Sequence, residues 1–191
     1  MKRAVPAGRQ GKLIVFEGVS GTGKETQAKL LQKLLQKYLA TKKIISHIVL
    51  HPSLEFKPTL RAAKTVQEQL SLLANDRYAK VQTVILPALA RGEWVISLRN
   101  YISAYVYQGN GKDVEQIDVP PDYLLYFDID PAIAMKRVVV RGEPIGKFET
   151  LKLLKEKRKK YEQVLQTIPH ITIDAGASID EIHRKVLNYI L

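Results

Sequence analysis

A lysine preceded closely by several glycines is a combination of residues that can hold a polyphosphate, and this chain has one near its start. Gly18-Val19-Ser20-Gly21-Thr22-Gly23-Lys24 supplies three glycines and the charge. Without Cβ atoms the backbone can bring its N–H groups close to an anion, and some positions of such a loop need positive φ. A helix opening directly behind the loop adds the positive end of its dipole. The lysine then reaches the outer phosphates. The strict pattern continues with Ser or Thr, whose hydroxyl meets Mg²⁺; here Glu25 occupies that position and Thr26 follows. Mg²⁺ accepts carboxylate oxygens directly or through water, so Glu25 is a candidate metal ligand. The phosphate-binding candidates are therefore Gly18, Val19, Ser20, Gly21, Thr22, Gly23, Lys24, Glu25 and Thr26.

These residues need a strand before them and a helix after them, and the pattern provides both. Leu13-Ile14-Val15-Phe16 is a continuous apolar run, as in a strand buried on both faces. From Lys24 to about residue 40, Ala28, Leu31, Leu35 and Tyr38 recur at helical spacing. Further strands are expected at 43–50, 94–97, 123–130 and 171–175. Helices are expected at 65–90, interrupted by a kink or break at Pro87, and at 101–107, 131–141, 149–167 and 179–191. Residues 109–121 read as a polar loop. Strands alternating with helices imply βαβ units and a five-stranded parallel sheet with helices on both faces, an α/β fold in a single domain spanning 1–191.

Composition narrows the function. The 191 residues are 46% hydrophobic, enough for one real core, and carry a net charge of +11. The basic residues are spread along helices rather than gathered in an aromatic-rich tract. This predicts a solvated basic surface suited to anionic small molecules, and no specific nucleic-acid partner. There is no cysteine, which excludes disulfides, thiolate metal sites and a cysteine nucleophile. The four histidines, His47, His51, His170 and His183, have no metal-ligand spacing. Residues 1–12 lack the apolar centre of a signal peptide, and no apolar run is long enough to span a bilayer, so a cytoplasmic protein without membrane partners is expected.

Several linked segments resemble the thymidylate kinases, in order and over nearly the whole chain. They are residues 16–27 (FEGVSGTGKETQ), 72–77 (LLANDR), 85–89 (ILPAL), 92–97 (GEWVIS) with Arg99, 104–109 (AYVYQG), and Pro121-Asp122-Tyr123 leading to Asp128-Ile129-Asp130-Pro131. The resemblance implies a P-loop nucleoside monophosphate kinase fold with a small lid at about 142–150, ATP and Mg²⁺ as cofactors, small-molecule nucleotides as partners, and a homodimer. It implies catalytic roles for Lys24, Arg99 and the lid residue Lys147. Arg77 and Arg99 match the family's two arginines that grip the acceptor monophosphate, a task suited to the planar guanidinium fork. Pro52, Leu73, Ser103, Tyr107 and Gln108 fall at acceptor-pocket positions. Arg141, and with it Arg158, stands near the donor phosphates, and Glu149 matches an acid that serves the metal.

Four positions depart from the family's pattern. Ser20 stands in place of an acidic residue facing the acceptor sugar, and Glu25 in place of the Mg²⁺ hydroxyl. Leu73 replaces an aromatic residue that stacks on the base, and Leu98 replaces the aspartate of an Asp-Arg pair. Three readings stay open on the sequence: a kinase for dTMP, a kinase for another nucleotide or a nucleoside, and a nucleotide-binding protein with weak catalysis.

Overall fold

The structure is a computed structural model that describes residues 11–39, 45–142, 146 and 149–191. Five strands form one parallel sheet in the order β2-β3-β1-β4-β5. They are β1 (Leu13–Glu17), β2 (Ser46–Leu50), β3 (Trp94–Leu98), β4 (Tyr123–Asp128) and β5 (Ile171–Asp174). The apolar run of β1 is the central strand, and all five of its residues are buried. Its Phe16 ring meets Phe127 of β4 at 4.8 Å between centroids. The register pairs Phe16 with Leu98 and Glu17 with Tyr126, and Leu50 with Leu98. Glu17, Leu98 and Leu50 therefore reach the same carboxyl edge of the sheet, where ligands bind in folds of this kind.

Nine α-helices flank the sheet among the described residues: α1 (Lys24–Leu39), α2 (Lys57–Ala62), α3 (Val66–Lys80), α4 (Leu86–Ala90), α5 (Tyr101–Gln108), α6 (Lys112–Ile117), α7 (Pro131–Val140), α8 (Leu151–Leu165) and α9 (Ile179–Ile190). Ala28, Leu31 and Leu35 form the buried stripe of α1, as the helical spacing predicts. Gln27 ties α1 to α9: its Nε2 donates to the Ile179 carbonyl at 2.9 Å, and its Oε1 lies 3.1 Å from His183 Nδ1.

One local expectation is corrected, one is refined, and a further helix is added. Residues 109–121 are not wholly a loop, because α6 buries Val114 against the core. Residues 57–62 form α2, which opens on Pro58 in its first turn. Pro87 does not break the helix. It has no N–H to continue the α ladder, and a π-helical turn at Val81–Ile85 precedes it, with the Leu86 N–H donating to Val81 O five residues back.

Candidate functional site

The sharp turn after β1 is built by glycines. Gly18, Gly21 and Gly23 have φ of 143°, 82° and 78°. A Cβ on Gly18 would come within 2.6 Å of Phe127 O, and one on Gly21 within 2.4 Å of Ala134 O, so the loop is pressed against β4 and α7. A Cβ on Gly23 would meet nothing within 4 Å. Gly23 thus borders open space at the start of α1, where an anion would meet the helix N-terminus. Lys24 folds back over the loop, donating to Val19 O at 2.8 Å and, at 3.4 Å, to Thr22 Oγ1. These features fit a polyphosphate.

Charges converge on Lys24. Burial lowers its pKa to about 7 and the neighbouring Arg99 pushes the same way; Glu17, Glu25 and Glu149 oppose them. The loop lysine, the arginine after β3 and three carboxylates therefore share one electrostatic environment.

Arg99 sits in a bonded cluster that the sequence only partly foretells. Its Nη1 donates to Ser103 Oγ at 3.0 Å and to the Tyr161 hydroxyl at 2.9 Å. Its Nη2 reaches Tyr107 Oη at 3.4 Å, and the guanidinium carbon lies 5.0 Å from the Tyr107 ring centre. Beneath these groups is Glu17, fully buried. Glu17 accepts from Ser103 Oγ at 2.8 Å, from the Tyr161 hydroxyl at 2.7 Å and from the Asn100 backbone N–H at 2.8 Å. Asn100 caps α5 through Ile102 N, and its buried Nδ2 has no hydrogen-bond partner. Arg99 itself has φ of 74°, rare for a residue with a Cβ.

The remaining candidates divide. Arg77 is not placed where a phosphate can meet it. It is wholly enclosed, with Nε and Nη2 on Asp118 Oδ1 at 2.9 and 2.6 Å and Nη1 on Ser97 Oγ at 2.9 Å. Ser97 Oγ in turn donates to the Arg99 carbonyl at 2.7 Å. Arg77 therefore underlies the Arg99 backbone rather than presenting a free fork. Arg158 is likewise engaged, bidentate to Asp128 at 2.8 and 2.7 Å. Leu73 is buried in the core on the same helix as Arg77, and Leu98 is buried at the end of β3. Pro52 and Gln108 are half-buried, with Gln108 Nε2 3.5 Å from Gln69 Oε1. Beside Pro52, Asp76 holds the corner after β2, accepting from Ser53 N at 3.0 Å and Ser53 Oγ at 2.6 Å and lying 3.1 Å from His51 Nδ1. Lys147 and most of the expected lid lie outside the described residues.

Glu25 and Thr26 are exposed in the first turn of α1. Glu149 is buried, accepting from Gly146 N at 2.6 Å and from Arg141 Nη2 at 3.1 and 3.2 Å. Burial pushes the Glu149 carboxyl up, but the Gly146 N–H, the Ser20 hydroxyl and Arg141 outweigh it and hold it low. Ser20, one of the departures, thus faces Glu149. Among the described residues no three His, Cys, Asp or Glu side chains come together as a metal cage. Glu25 and Glu149 both act on Lys24, so two carboxylates stand beside the loop, a donor set that suits a magnesium ion shared with substrate phosphates rather than one caged by protein alone. Among the same residues, no helix is long and apolar enough to cross a membrane.

Glu17, Asn100 and Tyr161 are the site residues that sequence reasoning missed. A carboxylate closing a buried strand was the available signal for Glu17. For Tyr161 the signal was its i+4 spacing from Lys157 and Leu165 on α8, masked by the surrounding lysines.

Comparison with known proteins agrees with this geometry. The family model described as thymidylate kinase matches residues 16–186. The thymidylate kinase of Akkermansia muciniphila is 34% identical, over 93% of this chain and 90% of its own length. Those of Pseudoalteromonas translucida and Colwellia psychrerythraea are 31% and 30% identical, over 94% and 92% of this chain and 95% and 92% of theirs.

Proposed function

The chain belongs to the thymidylate kinase family, and on that premise we propose that it transfers the γ-phosphoryl group of ATP to dTMP, giving ADP and dTDP. The observation that carries this reading is the meeting of a phosphate loop and an arginine cluster at one sheet edge. Lys24 closes the loop, Arg99 hangs on Ser103, Tyr107 and Tyr161, two of which rest on Glu17, and the two cations feel each other.

In such a site the protein positions and neutralises, and does little covalent work. The loop amides and Lys24 hold the donor phosphates. Arg99 holds the acceptor phosphate, whose oxygen attacks the γ-phosphorus as the bond to the ADP oxygen breaks. Ser103, Tyr107, Gln108, Pro52 and Leu73 line the acceptor side. Arg141 and Lys147 add positive charge from a lid at 142–150. Glu25 and Glu149 are the carboxylates that would hold a Mg²⁺ arriving with ATP, directly or through water, and the ion would supply charge neutralisation at the phosphates. The whole chain acts as one domain, in the cytoplasm, and pairs with a second copy; light scattering of the purified protein reads the pairing.

The test is ADP release with a panel of nucleoside monophosphates and nucleosides, with and without Mg²⁺. dTMP turning over fastest is the expected result. A clear preference for another acceptor gives Ser20 and Leu73 the meaning their departures suggest. Nucleotide binding without turnover on any acceptor ends the kinase reading.

A further inference from the structure

Tyr161 lies on α8, the helix that begins at Leu151 just beyond the lid segment, and its side chain is fully buried. Its hydroxyl hydrogen-bonds the cluster from that helix, and Lys157 one turn earlier places its ammonium 5.7 Å from the Tyr107 ring centre. The Tyr161 hydroxyl donates its single proton to Glu17 Oε2 at 2.7 Å, which leaves its lone pairs for Arg99 Nη1 at 2.9 Å. Ser103 Oγ, 3.0 Å away, makes the same pair of bonds from α5. Arg99 thus has its Nη1 gripped from two helices over one carboxylate. Burial first, and Glu17 next, push the Tyr161 pKa well up, so the hydroxyl keeps the proton that this bonding scheme needs.

Arg99 needs such support. Its backbone is left-handed, with φ of 74°, a conformation that persists only where surroundings over-determine it. The peptide is fixed by Arg99 N donating to Phe16 O at 3.0 Å and by Ser97 Oγ on its carbonyl. Those bonds fix the main chain but do not aim the long side chain. The aim is set by Ser103, Tyr107 and Tyr161.

We propose that Tyr161 is a positioning residue: through its hydroxyl it aims Arg99 at the acceptor phosphate and ties that aim to the helix following the lid. The proposal rests on the reading of Arg99 as the acceptor grip. It makes Tyr161 distinct from Tyr126, whose ring stacks on it at 5.3 Å but whose hydroxyl bonds only Asp128, at 3.2 Å, in this network.

The test compares steady-state constants of wild type, Tyr161→Phe, Tyr126→Phe, Arg99→Lys and the double variant Tyr161→Phe/Arg99→Lys, on the monophosphate that wild type phosphorylates fastest. The phenylalanine keeps the ring and removes one hydrogen bond to a charged group, so kcat/KM for the monophosphate is expected to fall about ten-fold or more. KM for ATP stays within about two-fold, and Tyr126→Phe matches wild type in both constants. In the Arg99→Lys background the same hydroxyl deletion costs under about two-fold, because the hydroxyl acts through the arginine. No loss in Tyr161→Phe, an equal loss for both substrates, an equal loss in Tyr126→Phe, or full additivity in the double variant overturns the proposal. If Tyr161→Phe does not fold, Tyr161→Gln takes its place under the same criteria. A wild-type protein that phosphorylates no monophosphate fails at the first measurement instead, and overturns the acceptor reading together with this proposal.

Discussion

Lys24 shows how one residue can be costly to the fold and necessary to the chemistry. Burial and Arg99 lower its pKa to about 7, so near neutrality much of the free protein holds a neutral amine. A triphosphate arriving beside it brings negative charge, favours the charged form and raises the pKa again. Binding ATP at pH 7.5 should therefore take up a proton, a fraction of one per site. Calorimetric titration in two buffers of different ionisation enthalpy reads this directly, and identical heats in both would rule it out. The glycines of the loop allow a second separation. Gly23→Ala faces open space, so its stability loss is limited to the left-handed penalty, about 1–2 kcal/mol, while its methyl obstructs the approaching phosphate. Gly21→Ala drives a Cβ into the α7 backbone and is expected to lose more stability than that. Thermal unfolding and ATP affinity, measured on both variants, should rank them oppositely to what conservation of size alone suggests: Gly23→Ala stable but weak in binding, Gly21→Ala unstable.

At the scale of elements, the strands and most helices were legible because period and punctuation agree. The run at 13–16 is apolar at every position and becomes the central strand. Asp130 before Pro131 caps α7 through Ala132 N and Ile133 N, as a Pro-opened helix needs. What was illegible depends on partners far away in sequence. The 109–121 segment is polar on its face, yet Asp118 pairs there with Arg77, 41 residues earlier, and the pairing draws α6 against α3. The same pair explains why Arg77 reads as a phosphate grip in sequence and proves to be enclosed in the structure. A guanidinium in an Asp-Arg dipeptide looks alike in both roles until its acceptor is located. Replacing Asp118 with alanine would leave Arg77 buried without its counter-charge, which typically costs about 3–5 kcal/mol. Urea unfolding of Asp118→Ala should show that loss, and Arg77→Met in the same background should restore part of it. A single loss under about 1 kcal/mol would mean that solvent reaches Arg77 after all.

For the whole molecule, the titrating groups combine into one pH dependence of stability. Glu93 is held down to about 2 by Arg91 first and His47 after it. Asp76 is held low by His51 and Ser53, although its burial works the other way. Carboxylates of this kind stabilise above their unfolded values, 4.5 and 3.8, and lose that contribution as pH falls through the folded ones. His51 adds to the acid side, since burial lowers its pKa from 6.5 and the unfolded chain takes up that proton first. Lys24 extends the slope past neutrality. Between about 7 and 10.5 its unfolded form is protonated and its folded form is not, so stability rises with pH across that window. From pH 7 to 8.5 the gain is about 1–2 kcal/mol, a few degrees in Tm for a domain of this size. Nucleotide-free protein is thus expected to melt higher at pH 8.5 than at pH 7. Lys24→Met removes the buried amine, so it should melt higher than wild type at pH 7 and lose the rise, while saturating ATP should remove the rise in wild type by keeping Lys24 charged in the folded state. A rise that survives in Lys24→Met would place its origin in another group and take the lysine out of this account.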